Sequence, residues 1–200
     1  MKPAPFTELA VEFVGSFPDA THRLEPRLPE IALLGRSNVG KSSLLNALFG
    51  RPLAKTSNTP GRTALLNVFR LPTMYLLDLP GYGFARVSHG ERERYQRLVK
   101  GLMEKRTTLT GVLWLLDIRH DPSPDDRAYA GTLADRGLPV LVAVTKGDKL
   151  PFAQRRRRLA ELTRALALED DQIQLTSSRT GEGIADLAAS LLAAGSKEGA

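Results

Sequence analysis

Gly35, Arg36, Ser37, Asn38, Val39, Gly40, Lys41 and Ser42 spell G-x-x-x-x-G-K-S between a short apolar run and an apolar helical pattern. This octet restricts the chain more than any other feature, because a phosphate-binding loop works only where a strand hands over to a helix. Its two glycines let the backbone curl so that successive N–H groups face inward toward a polyphosphate. Lys41 can then reach the β- and γ-phosphates, and the Ser42 hydroxyl can coordinate Mg²⁺. The flanks meet the requirement. Glu30, Ile31, Ala32, Leu33 and Leu34 read as a buried strand, and residues 43–49 carry apolar side chains at helical spacing. A glycine-rich turn in some other α/β protein would need neither flank.

Strand-like and helical runs alternate from residue 30 onward, which predicts an α/β P-loop fold with a mostly parallel six-stranded sheet and helices on both faces. Strands are expected at 31–34, 64–71, 74–78, 112–118, 140–145 and 172–176, and helices at 41–49, 90–106, 124–136, 151–166 and 184–194. The Leu71-Pro72-Thr73 turn can fold the second strand back against the third, so one antiparallel edge strand is expected. Five prolines mark residues 1–29 as an extension packed on a domain that covers 30–195, and 196–200 should fray.

The chemistry of such a sheet lies at the carboxyl ends of its strands, and further motifs fall there in order. Asp78, Leu79, Pro80 and Gly81 end the third strand. An Asp there can hold Mg²⁺ through water, and the Gly N–H can meet the γ-phosphate, so the loop senses whether that phosphate is present. Thr145, Lys146, Gly147 and Asp148 end the fifth strand. Guanine offers N1–H and N2–H₂ side by side, which one carboxylate accepts together, whereas adenine presents no such pair. Asp148 therefore selects guanine, with the Lys146 stem lying along the base. Thr176, Ser177 and Ser178 come after the last strand as a polar turn whose N–H groups can meet the guanine O6. Between the first helix and the second strand, Thr56, Thr59 and Thr63 are all candidates to complete the Mg²⁺ shell, and spacing does not choose among them.

Composition narrows the setting. With no cysteine there are no disulfides, thiolate metal sites or iron–sulfur clusters, and a reducing cytoplasmic location is expected. His22, His89 and His120 have no metal-type spacing. No apolar run approaches the roughly 18 residues that cross a bilayer, and the first residues lack a signal peptide's apolar core, so no membrane span is expected. Net charge is +6, concentrated at Arg155, Arg156, Arg157 and Arg158 and in a looser group from Arg86 through Arg92, Arg94, Arg97, Lys100 and Lys105 to Arg106. Either group can contact nucleic acid or can be a solvated helix face.

The octet, together with Thr59-Pro60-Gly61-Arg62-Thr63, Asp78-Leu79-Pro80-Gly81-Tyr82-Gly83, Asp117-Ile118-Arg119-His120 and Thr145-Lys146-Gly147-Asp148, resembles the bacterial EngB family of the TrmE–Era–EngA–EngB GTPases over about residues 20–195. The resemblance implies GTP and GDP binding at residues 35–42, at Gly61, Arg62, Thr63, Ala64 and Leu65, and at 78–81, 145–148 and 176–178. It makes Thr63 the Mg²⁺ ligand that joins Ser42, and gives Lys41, Thr63 and Gly81 the catalytic roles. It also implies a GTPase acting in large ribosomal subunit assembly, with loss affecting cell division and septation; the basic surface agrees with ribosomal RNA and the large subunit as partners, and a monomer is expected. A GTP-gated interaction module of the division machinery, with incidental hydrolysis, is the alternative. In related potassium-dependent GTPases the position of Asn38 holds K⁺; here it can equally be a residue that shapes the turn. Tyr82 stands where Ras-type enzymes place a water-orienting glutamine, so slow intrinsic hydrolysis is expected.

Overall fold

The computed structural model describes residues 5–54, 65–83 and 89–196. Among the described residues, seven strands form one sheet: β1 (Glu12–Phe17), β2 (Glu30–Gly35), β3 (Leu66–Arg70), β4 (Tyr75–Asp78), β5 (Leu109–Asp117), β6 (Val140–Thr145) and β7 (Ile173–Leu175). The helices are α1 (Lys41–Phe49), α2 (His89–Lys105), α3 (Pro124–Arg136), α4 (Phe152–Ala165) and α5 (Ile184–Gly195). Strand order is β1-β3-β4-β2-β5-β6-β7. Strands β2, β4, β5, β6 and β7 run parallel, while β3 is antiparallel to both β4 and β1.

The mixed sheet expected from the sequence is present, with seven strands rather than six. The additional strand, β1, lies inside the proline-rich extension. It escapes sequence reading because its register shifts between Phe13 and Gly15, a bulge that breaks period-two alternation. It is also an edge strand with Phe13 and Val14 exposed, so little of it shows a buried pattern.

The parallel strands are covered on both faces and read as continuous apolar runs. Every residue of β2 is buried. In β5, Val112, Trp114 and Leu116 join the core under α2, α3 and α4, while Leu113 and Leu115 join the core under α1 and α5. Because β4, β2, β5, β6 and β7 are parallel, their carboxyl ends lie along one rim. The helices that start near this rim are capped differently. α3 begins with a capping box between Ser123 and Asp126 and with Pro124 in its first turn, so its opening N–H groups are served internally. α1 begins at Gly40, with φ 103° and no side-chain cap.

Residues 18–22 are fixed to the body by a buried ion pair. Arg106 donates from Nη2 to Glu30 Oε1 at 2.6 Å and from Nε to Oε2 at 2.5 Å. Its Nη1 serves the Ala20 and His22 carbonyls at 2.6 and 2.9 Å. Both charged side chains are over nine-tenths buried. Arg106→Met should therefore destabilise the fold by about 3–5 kcal/mol, since it leaves Glu30 buried without a counter-charge. Arg106→Met combined with Glu30→Met should recover much of the loss, and denaturant unfolding of both variants measures it. Equal losses would show that the carbonyl bonds, not the charge pair, carry the stability.

Candidate functional site

The loop after β2 curls as the glycine pattern requires. Asn38 has φ 61° and Gly40 φ 103°, both left-handed, the first tolerated by asparagine and the second natural only for glycine. The end of β6 receives the carbonyls of both Asn38 and Val39. Thr145 Oγ1 donates to Val39 O at 2.6 Å, and Lys146 Nζ donates to Asn38 O at 2.6 Å. Lys146 also pairs with Asp117 Oδ2 at 2.9 Å. The Lys146 stem thus runs to the phosphate loop, and its head is held between that loop and the end of β5.

Asp117 and Arg119 belong to one of the family-like motifs, but only the structure gives them a role. Arg119 donates from its backbone N and from Nε to Asp117 Oδ1 at 3.0 and 2.9 Å, and from Nη2 to Oδ2 at 2.7 Å. Burial opposes the Asp117 charge, but the bonds from Arg119 and Lys146 outweigh it and hold the carboxyl well below the usual range. Apart from that motif, the signal in the chain is an Asp at a strand end two residues before an Arg, and it is weak.

Below the loop, Lys41 Nζ forms an ion pair with Asp78 Oδ1, and Asn67 Nδ2 donates to Asp78 Oδ2 at 3.2 Å. Gly81 rests on the phosphate loop. A Cβ there would meet the Ser37 N, Cα and Oγ at 2.8 Å, so any side chain would push the two loops apart. Ser37 N donates to Tyr82 O at 2.8 Å, and Tyr82 N to Gly35 O at 3.2 Å. Leu79 is fully buried and Pro80 is partly buried. Arg36 and Ser37 are partly exposed, Val39 is buried, and Ser42 is the partly exposed second residue of α1.

Tyr82 turns inward. Its hydroxyl donates to Asp126 Oδ1 at 2.6 Å and accepts from Trp114 Nε1 at 2.8 Å, while Asp126 Oδ2 accepts from the Ser123 N and Oγ, each at 2.7 Å. The ring packs against Tyr129, with centroids 4.7 Å apart, and Tyr95 lies 6.1 Å away. Burial, reinforced by Asp126, pushes the phenol far above its ordinary value and keeps it neutral.

At the other end of the rim, Ser177 Oγ donates to Asp148 Oδ1 at 2.7 Å and Arg179 Nε to Oδ2 at 2.7 Å. The hydrogen bond from Ser177 lowers the Asp148 carboxyl from its usual range; partial burial opposes this, and Arg179 adds to it. Gly147 N donates to Thr176 O at 3.0 Å, which joins the two loops. Thr176 N is taken by Val144 O at 2.7 Å and Ser177 N by Glu182 O at 2.9 Å, whereas Ser178 N has no such bond to a described residue. Sequence reasoning misses the contact of Arg179 with Asp148, because an exposed arginine in a loop carries no pattern.

The structure therefore brings residues 35–42, 78–81, 145–148 and 176–178 to one rim. Leu65, partly buried, lies just before β3. Gly61, Arg62, Thr63 and Ala64, with Thr56 and Thr59, lie outside the described residues. The arginine block on α4 is largely committed internally. Arg155 pairs with Glu182 at 2.8 Å, Arg157 with Glu161 at 2.9 Å, and Arg158 with Asp121 at 2.8 Å and the Ile118 carbonyl at 2.9 Å.

A protein family described as "50S ribosome-binding GTPase" matches residues 30–146. The chain is 48% identical over 172 residues to a probable GTP-binding protein EngB of Gemmatimonas aurantiaca, covering 85% of this chain and 84% of that one. It is 41% identical over 194 residues to a protein of the same description from Geobacter metallireducens, covering 94% and 95%. Among solved structures, a probable GTP-binding protein engB superposes with a TM-score of 0.73 at 22% identity, over 84% of this chain and all of that one. Era bound to MgGDPNP and a 16S ribosomal RNA fragment superposes with a TM-score of 0.61 at 21% identity, over 87% of this chain and 59% of that one. At these identities both structures support the fold alone.

Ser177→Ala should raise the pKa of Asp148 toward the ordinary carboxylate value, because it removes the bond that most lowers it. Carboxyl ¹³C NMR titration of Asp148 measures the change. An unmoved titration would mean that Arg179 alone holds the charge.

Proposed function

This chain belongs to the EngB family of GTP-binding proteins and is a GTPase, and from that premise we propose that it acts as a monomeric, Mg²⁺-dependent switch in assembly of the large ribosomal subunit in the cytoplasm. The observation that supports the nucleotide part is the clamp of Thr145 and Lys146 on the phosphate loop, which ties the loop carrying Asp148 to the one carrying Lys41. The ribosomal part is supported by the description of the matching family as 50S ribosome-binding and by the net charge of +6.

On this reading the amides of Asn38, Gly40, Lys41 and Ser42 cradle the phosphates, those of Ser37 and Val39 being engaged by Tyr82 O and Arg36 O, and Lys41 exchanges its partner, leaving Asp78 for the β- and γ-phosphates. The residues at hand fit a magnesium ion. Asp78 is a buried carboxylate that loses its counter-charge when Lys41 moves, and Ser42 opens the helix beside it. Ser42, with Thr63 and with Asp78 through water, would hold Mg²⁺, which neutralises charge on the transferring phosphate. The Gly81 N–H meets the γ-phosphate, and its seat on Ser37 keeps that contact in register with the loop. Water attacks the γ-phosphorus and the bond to GDP breaks, releasing phosphate. Because the Tyr82 side chain is held in the core, it does not orient that water, and intrinsic turnover is slow until a partner supplies what is missing. The left-handed turn accounts for Asn38, so the reading needs no potassium ion there.

For the base, Asp148 accepts from guanine N1–H and N2–H₂ once Arg179 swings aside. That motion is easy, since the Arg179 side chain is 69% exposed. Thr176 and Ser177 have their amides engaged, which leaves the Ser178 N–H for the guanine O6.

Asp148→Asn should weaken GTP binding by roughly 2–4 kcal/mol and shift preference toward xanthosine nucleotides, because an amide meets two donors with one acceptor. Competition binding with GTP and XTP checks this, and no relative gain for XTP would remove the assigned role. For the ribosomal part, co-sedimentation with 50S particles should be strong with a GTP analogue and weak with GDP or without nucleotide. Equal recovery in all three states would overturn the switch.

A further inference from the structure

The sequence holds two basic clusters, and the structure separates them by the partners their charges already meet. On α4 most of the arginine block is neutralised by Glu161, Glu182 and Asp121. On α2 the positions Arg94, Arg97, Gly101 and Lys105 succeed one another by three, four and four residues and form a single stripe. They line one wall of a groove of about 540 Å³ whose opposite wall is residues 18–21. Arg94 and Lys105 form no ion pair with a described residue, and Arg97 pairs with Glu93 at 3.7 Å with its own side chain largely in solvent.

The groove is built. Arg106 holds the Ala20 and His22 carbonyls, the Asp19 carboxylate receives the Thr21 N and Oγ1 at 2.8 and 2.6 Å, and Phe17 stacks on His22 with centroids 3.9 Å apart. Gly101 leaves the floor open, with only Ala20 across from it. Among the described residues Asp19 is the single carboxylate lining the groove, so three cations face one anion. The stripe from Arg94 to Lys105 extends roughly 16 Å along the helix axis.

We infer that this groove binds the phosphate backbone of RNA. The inference rests on the ribosomal reading above and names the surface that carries it. A row of cations along a preformed trough, with Leu98 buried at its base and no exposed aromatic anchor among its lining residues, matches a line of phosphates. Protein partners are held instead by buried aromatic and aliphatic anchors at the centre of a patch.

The test compares wild type, the triple variant Arg94→Gln/Arg97→Gln/Lys105→Gln, and the α4 variant Arg156→Gln/Arg157→Gln. Each is bound to deproteinised 23S ribosomal RNA and to 50S particles across a salt series, with GTP-analogue binding and thermal unfolding as folding controls. In the triple variant the slope of log affinity against log salt should fall in magnitude by about 2–3, which is three contacts at 0.7–0.9 each. The α4 variant should keep the wild-type slope. The charge-retaining variant Arg94→Lys/Arg97→Lys should also keep it. A wild type that binds while the triple variant keeps its slope would overturn the groove and leave the ribosomal reading standing. Binding to 50S particles lost in the triple variant while binding to bare RNA is unchanged would point to a ribosomal protein as partner and overturn the RNA assignment. A wild type that binds neither RNA nor particles would overturn the ribosomal reading, and the groove with it.

Discussion

Curling a backbone so that its amides converge on one point forces some carbonyls outward, and those carbonyls must find donors. In the phosphate loop they are Asn38 O and Val39 O, and their donors come from more than a hundred residues away, at Lys146 and Thr145. Leaving the buried Val39 acceptor unserved would cost about 1–3 kcal/mol, so the loop and the end of β6 form one unit. This divides the labour within Thr145-Lys146-Gly147-Asp148. The first two side chains serve the loop, Gly147 donates its N–H to Thr176 O, and the Asp148 carboxylate turns instead to Ser177 and Arg179. Asp117, paired with both Lys146 and Arg119, extends the same unit to β5.

The Asp78–Gly81 loop is tied in by a different means. Gly81 touches the backbone of Ser37 where no side chain fits, and the next residue is anchored in the core. Tyr82 reaches Trp114 on β5 and Asp126 in the first turn of α3 with a hydroxyl that both donates and accepts. A buried network whose members are all satisfied is stiff. The Tyr82 end of this loop is therefore held firmly, and its hydroxyl is committed to the core rather than to the rim.

Charge tells a similar story at longer range. Consecutive arginines on α4 look like an anion site, yet consecutive residues on a helix point in different directions. Three of the four meet carboxylates or carbonyls of their own domain. The α2 cations look diluted by interleaved glutamates, but the helical period gathers Arg94, Arg97 and Lys105 on one side, opposite a segment that Arg106 pins in place.

Local pattern alone determined the strand-loop-helix at Gly35–Ser42, the alternation of elements, and the chain positions of the Asp78–Gly81 and Thr145–Asp148 loops. Each of these rests on nearest neighbours, periodicity or the chemistry of one side chain. Strand β1 stayed hidden because a bulge and an exposed edge erase its alternation. The inward turn of Tyr82, the Arg179 cover on Asp148, the service of Lys146 to Asn38 and the commitment of the α4 arginines were decided only in the folded state. Apart from the local pair of Arg157 with Glu161, each depends on a partner 27 to 108 residues away in the chain, and nothing in the local sequence encodes the distance or direction to a partner that folding alone brings near.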